Sequence, residues 1–276
     1  MLSHINHCWN TGQIPKEWKH AVVVNIFKGS GDASDPTRYR PIALLNVQYK
    51  LLARMLQHRI SKHMDQHISN TQYGFRKARS TSDPIHVLRR VQELFEATNS
   101  PLHMLFLDWS MAFDKLSHSG LISALTRFGL PPKYITLIKD VYTDPTFEVK
   151  ETNTRSNPMP QGSGIRQGCP LSPYLFVIFL TVLMTDVKTE LARRFPEIGI
   201  QNPYHVFSSN TPLLELTYAD DIILFSKSTV VLQEVFTTLQ QHADKYCMQL
   251  NLDKTCILHM NTPVPQPIYY FTPLHP

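Results

Sequence analysis

Apolar residues run almost unbroken from Ala21 to Phe27, and that pattern predicts a short strand. The strand runs into Lys28-Gly29-Ser30-Gly31-Asp32, a loop whose glycines permit tight backbone geometry. Beyond Arg40-Pro41 the spacing changes. Val47, Leu51, Leu52, Met55, Leu56 and Ile60 recur at helical intervals and predict a helix over about Asn46 to Met64. Val87, Leu88, Val91 and Phe95 predict a second from Ile85 to Ala97, and His103 to Leu107 a short strand that stops at Asp108. A helix around Leu121 to Phe128 is closed by Gly129 and Pro131, the usual end signals. Ser172-Pro173 supplies an N-cap and a first-turn proline to a long apolar helix reaching about Leu191. Two apolar runs, Leu213–Tyr218 and Ile222–Phe225, are separated only by Ala219-Asp220-Asp221, a hairpin signature with charges at its tip. A helix from Thr229 to Tyr246 and a short segment at Leu250–Lys254 follow. From Pro263 onward, five prolines in 14 residues exclude a regular helix or central strand, so 259–276 is expected to be an irregular tail. Together the elements predict an α+β protein with central strands and helices segregated to one side.

Composition changes this picture little. An apolar content of 42% in 276 residues supports a core without disulfides or a structural metal. The longest largely apolar run, Tyr174 to Met184, is too short for a bilayer and reads as a buried helix. Cys8, Cys169, Cys247 and Cys256 form no CxxC pair, which argues against zinc and disulfide frameworks and for a reducing intracellular setting. Met1 to Asn10 has neither a basic nor an apolar leader pattern, so secretion is not expected. The charge is uneven. Residues 1–100 carry 14 Lys/Arg against 7 Asp/Glu, and residues 101–276 carry 13 against 15. That asymmetry fits one face for a polyanion and another for cations, or a merely solvated surface.

Asp108 ends a strand of buried residue types, and Asp220 and Asp221 sit at the tip of an apolar hairpin. Adjacent carboxylates are common in solvated turns. Here their flanks, Leu216 and Ile222 to Phe225, are strongly apolar, so the tip belongs to a buried sheet. Like charges there are costly, and a divalent cation is the natural remedy. Three hard oxygen donors suit magnesium, and a pair of such ions suits phosphoryl transfer. His63 and His67, four apart on one helix, have no evident third ligand and read as a surface pair.

At this point the blocks carry a resemblance. Tyr218-Ala219-Asp220-Asp221 resembles the YxDD box of reverse transcriptases, and Leu107-Asp108-Trp109-Ser110-Met111-Ala112-Phe113-Asp114 resembles their first catalytic strand. Arg38-Tyr39-Arg40-Pro41-Ile42, Gln72-Tyr73-Gly74-Phe75-Arg76 with Ser80-Thr81, the block Gly164 to Pro173, and Leu250 to Thr255 occur in the family's order. Their wording is similar to non-LTR (LINE-type) retrotransposon enzymes, from about Lys28 to Thr255.

The resemblance implies a right-hand polymerase with fingers and palm, an antiparallel palm sheet with helices packed on one face, and no thumb. Residues 1–100 would be fingers, 101–258 mainly palm with some fingers, and 259–276 the tail. It implies an RNA-directed DNA polymerase that adds deoxynucleoside triphosphates to a DNA primer on an RNA template. Two Mg2+ ions, with Mn2+ as a substitute, would be held by Asp108, Asp220 and Asp221. Lys28 and Arg40 would grip the triphosphate, where a planar guanidinium suits phosphate. Phe113 would be the ribose gate that excludes a 2′-hydroxyl. Gln167 and Gly168 would touch nucleotide and template, with Arg166 a solvated neighbour. Lys254 would donate a proton to departing pyrophosphate or screen its charge. Gln72, Arg76, Lys77 and Arg79 would lie along the template and position it through phosphates. Lys77-Ala78 stands where related enzymes often show Pro-Gly, a departure that bears on that loop's shape. Rival readings are a catalytically silent nucleic-acid-binding relic and a group II intron maturase-type enzyme. A nuclear or cytoplasmic location, no membrane association and a truncated or degenerate copy complete the expectations.

Overall fold

The computed structural model describes residues 2–195, 198–200, 212–262 and 267–269. In chain order they form α1 (Leu2–Thr11), α2 (Lys16–Lys19), β1 (His20–Phe27), β2 (Tyr39–Leu45), α3 (Val47–Met64), α4 (Ser82–Thr98) and β3 (Leu102–Leu107). Next come α5 (Ala112–Lys115), α6 (His118–Arg127), α7 (Pro132–Val141), β4 (Thr146–Glu151), β5 (Thr154–Arg155) and β6 (Met159–Pro160). The last are α8 (Ser172–Ala192), β7 (Glu215–Tyr218), β8 (Asp221–Ser226), α9 (Thr229–Asp244) and β9 (Cys256–Met260). Two compact units interleave along the chain, one made of Met1–His67 and Phe113–Phe179, the other of Ile68–Ala112 and Leu180–Pro276.

The first unit is built on a mixed sheet in the order β2-β1-β4-β5, with β6 also paired to β4. β1 pairs antiparallel with β2, setting Val22 opposite Leu44 and Val24 opposite Ile42. It pairs parallel with β4, far along the chain, with Val22 opposite Glu148. Pro41 lacks an N–H and is tolerated in β2 because that strand lies at the sheet edge. α3 starts where expected: the Asn46 side chain accepts from Gln48 N at 2.8 Å. That satisfies one of the orphan amides of the first turn. The helix buries Tyr49, Leu52, Ala53, Leu56 and Ile60, one stripe at helical spacing. Each large apolar side chain contributes about 1.5–3 kcal/mol through burial. α7 was not anticipated, because Gly129 and Pro131 read as the end of the preceding helix, whereas Pro132 opens a new one at its first turn. Arg166 departs from the sequence expectation. It is no solvated neighbour but is buried, with its guanidinium donating to the carbonyls of Trp18 and Lys19 and lying 5.7 Å from the Tyr49 ring.

The second unit carries an antiparallel sheet in the order β7-β8-β3-β9. Met104 pairs with Phe225 on one side and Leu258 on the other, and Leu107 pairs with Ile222. Leu102, Met104, Leu216 and Phe225 join Val87, Val91 and Phe95 of α4 in one core cluster. The alternate positions Leu105, Leu107, Ile222 and Leu224 are also buried, and α9 packs against β8 and β3. Strand alternation explains why both rows are apolar: each face has a cover. β9 extends regular structure to Met260, so His259 and Met260 belong to a strand rather than to the expected tail. Residues 267–269 contain no regular element, and the rest of the Pro-rich segment from Pro263 lies outside the described residues. Among the described residues no helix is long and apolar enough to cross a membrane.

Candidate active site

In the second unit β3 and β8 are hydrogen-bonded up to Leu107 and Ile222. One step further along that ladder Asp108 falls opposite Asp221. β7 and β8 close with Tyr218 opposite Asp221, so the turn consists of Ala219 and Asp220 alone. Asp221, expected in the tip, is the first residue of β8. Ala219 adopts φ +57°, a left-handed conformation that an L-residue takes only where the surroundings hold it.

Burial is the main influence that raises the Asp220 carboxyl above its usual range, with Asp108 adding to it and the Lys254 charge opposing it. Burial likewise raises Asp221, helped by Asp220 and Asp108 and again opposed by Lys254. Asp108 is held more explicitly. Its Oδ2 accepts from Lys254 Nζ at 2.9 Å and from Asn251 Nδ2 at 3.2 Å, while its carbonyl accepts from Asn251 N at 2.8 Å. The segment after α9 therefore delivers both Lys254 and Asn251 to the first carboxylate. Asn251 was not among the expected site residues, although it lies in the quoted Leu250–Thr255 block.

Three carboxylates near one another offer hard oxygen donors suited to a divalent cation, which would offset the burial and mutual repulsion that lift two of them. As the side chains stand, no group of three or more His, Cys, Asp or Glu among the described residues is gathered closely enough to hold a metal ion. Asp108 is engaged instead by Lys254 and Asn251. The donor chemistry fits a metal, but a closed ligand cage is not formed.

The residues expected along the template divide. Gln72 is 2% exposed, and its amide is used within the chain, so it presents nothing outward to a template. Arg76 is half-buried and donates to the carbonyls of Ser69 and Gln72 at 2.8 and 2.9 Å, bracing its own segment. Lys77 and Arg79 are exposed, with Arg79 lying 5.2 Å from the Tyr73 ring. Ala78, at the departure from Pro-Gly, has φ +57°. The loop keeps the left-handed turn that glycine would make without strain.

The remaining expected residues lie in the first unit. Lys28 follows β1 and donates from Nζ to the Thr37 carbonyl at 2.8 Å, and Arg40 is exposed on β2 opposite Ile26. The Phe113 ring stacks on Phe176 at 4.9 Å and 17°. Gln167 donates from Nε2 to both carboxylate oxygens of Asp114, at 3.0 and 3.1 Å. Burial raises the Asp114 carboxyl, while those bonds and the Lys28 charge pull it down. Asp114 was outside the expected set, though it closes the block that begins at Leu107. Gly168 has φ +115°, and a Cβ there would lie 2.6 Å from the Ala43 carbonyl oxygen. Its need for glycine arises from this close approach to β2. A cavity of about 330 Å³ in this unit is lined by residues that include Asp114, Gln161, Arg166 and Gln167.

Residues 26–270 match the family described as Reverse transcriptase (RNA-dependent DNA polymerase). The "Probable RNA-directed DNA polymerase from transposon BS" of Drosophila melanogaster is 31% identical over 250 residues, which cover 87% of this chain and 26% of that protein. The RNA-directed DNA polymerase from mobile element jockey of the same organism is 28% identical over 259 residues, 90% of this chain and 26% of that protein. The chain thus spans about a quarter of the length of these relatives. The structure of telomerase from Candida tropicalis with a TWJ fragment of telomeric RNA aligns over 94% of this chain and 44% of its own, with a TM-score of 0.63 and 15% identity. Apo telomerase of that species, truncated from its C-terminal domain, aligns over 91% and 52%, with a TM-score of 0.61 and 14% identity. These two likenesses show a shared fold, consistent with the fingers and palm expected from the sequence. Enzymes of the matched family use divalent metal ions. With a family match across most of its length, and relatives from non-LTR retrotransposons, this chain belongs to the reverse transcriptase family.

Proposed function

We propose that this chain is the catalytic core of an RNA-directed DNA polymerase of a non-LTR element. In this reading the unit holding β3, β7 and β8 is the palm and the unit holding β1, β2 and β4 the fingers. The observation that carries it is the placement of Asp108 opposite Asp221, beside the Ala219-Asp220 turn, at the end of a buried antiparallel sheet. The substrates are deoxynucleoside triphosphates, an RNA template and a DNA primer, in an intracellular location where all three meet. The primer 3′-hydroxyl oxygen forms a bond to the α-phosphorus, and the bond from that phosphorus to the β-phosphate bridging oxygen breaks, releasing pyrophosphate. Asp108, Asp220 and Asp221 would hold two Mg2+ ions, or Mn2+ in their place. Bound there, such ions supply charge stabilisation to the transferring phosphoryl group and acidify the attacking hydroxyl.

The chain's own side chains do the positioning. Lys28 and Arg40, exposed on the β1–β2 hairpin, meet the triphosphate. Phe113, fixed by its stack on Phe176, excludes a ribose 2′-hydroxyl. Lys254 leaves Asp108 for the departing pyrophosphate, to which it donates a proton or lends its charge. Lys77 and Arg79 contact template phosphates.

The test is primer extension on an RNA template with deoxynucleotides and ribonucleotides, comparing this chain with Asp220→Asn. Deoxynucleotide incorporation that vanishes in the variant supports the reading. A folded, monodisperse chain with no extension on any template overturns it.

A further inference from the structure

The turn that carries Asp220 contains a strained residue, and a buried amide is fastened to it. Gln72 Oε1 accepts from Ala219 N at 3.1 Å and from Gly74 N at 2.7 Å, and Gln72 Nε2 donates to the Ala219 carbonyl at 3.3 Å. Both backbone groups of Ala219 are thus satisfied by one side chain 147 residues away. Ala219 is itself the residue at φ +57°. A buried amide with both ends used is costly to replace, because its removal orphans donors and an acceptor together.

The segment bearing Gln72 is held in place by independent means. Tyr73 N donates to the Thr217 carbonyl at 2.9 Å and Thr217 N to the Thr71 carbonyl at 2.8 Å, so Thr71–Tyr73 runs alongside β7 as a short parallel partner. Thr71 Oγ1 donates to Glu215 Oε1 at 2.8 Å, and Lys188 Nζ pairs with the same buried carboxylate. Gly74 completes the fit. A Cβ there would stand 2.2 Å from Ala219 N and 2.8 Å from Ala219 Cα, so the two backbones pack at a distance open only to glycine.

We propose that Gln72 is a positioning residue for Asp220: its amide, seated by the Thr71–Gly74 segment, locks the Ala219 peptide in its left-handed conformation and so sets where the Asp220 carboxylate points. Gln72 touches neither substrate nor the reacting atoms, and it acts through the turn. Apolar flanks alone would bury the hairpin, but they cannot distinguish one orientation of a two-residue turn from another. A bidentate amide can, since it needs the N–H and the C=O of Ala219 in one fixed relation. The inference rests on the proposed role of Asp220 in binding a divalent cation.

The experiment compares wild type, Gln72→Met, Gln72→Glu and Asp220→Asn as the full chain, with three readouts. Hydrogen exchange at the Ala219 and Gly74 amides reads the clamp itself. Mn2+ binding by electron paramagnetic resonance reads the carboxylates without turnover. Primer extension separates kcat from KM for the deoxynucleotide. Gln72→Met is expected to lose protection at those two amides while β3 and β8 keep theirs, to bind Mn2+ about tenfold more weakly, and to lose kcat about tenfold or more at unchanged KM. Gln72→Glu, which keeps the acceptor and loses the donor, falls between the two, and it replaces Gln72→Met as the deciding variant if that protein does not fold. Full protection and wild-type Mn2+ binding in both folded Gln72 variants overturn the clamp. Equal Mn2+ binding by wild type and Asp220→Asn instead overturns the reading of Asp220, a separate and recognisable failure.

Discussion

In the second unit three carboxylates stand at the end of an antiparallel sheet whose strands are buried nearly up to them, whereas in the first the cations expected to meet phosphate sit exposed on a hairpin. Asp108 is pinned by Lys254 and Asn251, and the turn bearing Asp220 by Gln72. The Lys28 side chain donates to a carbonyl of its own loop, and Arg40 is open to solvent. The contrast follows from charge. Like charges near one another relax apart into water unless a rigid frame holds them, and burial is the cost, visible in the raised carboxyls of Asp220 and Asp221. Exposed cations are screened by water, so a hairpin can carry them at little cost and let them follow a ligand. Within its own unit each group is held differently: the carboxylates by fixed partners, Lys28 and Arg40 on an exposed hairpin.

The largest effect expected is that of Asp220→Asn, which should lower primer extension at least about a thousandfold. Because it removes one repelling charge, the metal-free variant should also melt higher, by about 2 °C or more. A variant that melts lower would contradict the view that the frame holds this charge against its preference. Next, Lys28→Ala and Arg40→Ala should each raise KM for the deoxynucleotide about tenfold, with kcat and melting temperature unchanged. A fall in kcat at constant KM would place these cations in a fixed frame like that of the carboxylates.

Gln167→Met probes a carboxylate of the first unit that is framed in the manner of the second. Asp114 has its folded-state carboxyl raised from 3.8 by burial, so its contribution to stability falls as pH rises from about 4 through the folded value. The two Gln167 bonds oppose that loss. Without them the folded value rises further, and the variant should be less stable by about 1–2 kcal/mol at neutral pH. The deficit should shrink as pH falls and Asp114 protonates in both proteins, which denaturant titrations at pH 4 and pH 7 would show. A deficit that stays constant with pH would mean that Gln167 supports packing only. The smallest effect concerns Ala78. Relief of its left-handed strain in Ala78→Gly, offset partly by glycine's chain entropy, should stabilise the protein by about 0.5–1 kcal/mol in urea unfolding. No change would mean that this rim of the second unit is relaxed as it stands.

Much of the architecture was readable from local pattern. α3, α8 and the β7–β8 hairpin lie within a few residues of their expected bounds, because periodicity, the Asn46 cap and the Ser172-Pro173 start are encoded by neighbours in the chain. The identities of Asp108, Asp220 and Asp221 as a group were readable for a similar reason: charges ending apolar runs stand out in one dimension. What escaped were contacts between distant segments. The parallel pairing of β1 with β4 joins Val22 to Glu148, and β9 pairs with β3 far along the chain, Leu102 with Met260. No local signal announces such partners, since a strand's edges look the same whichever strand will meet them.

The same limit governs single side chains. Gln72 and Arg166 are polar types that sequence places at the surface, and the fold buries both because backbone groups from remote segments satisfy them. Asp114 is likewise held by Gln167, 53 residues further along the chain. Sequence alone determined which residue types could carry the chemistry and where α3, α8 and the β7–β8 hairpin would form, because side-chain type and short-range spacing are local properties. Tertiary structure decided which polar groups face solvent and which lock the turn beneath Asp220, because a hydrogen bond is worth its burial only when a distant partner completes it.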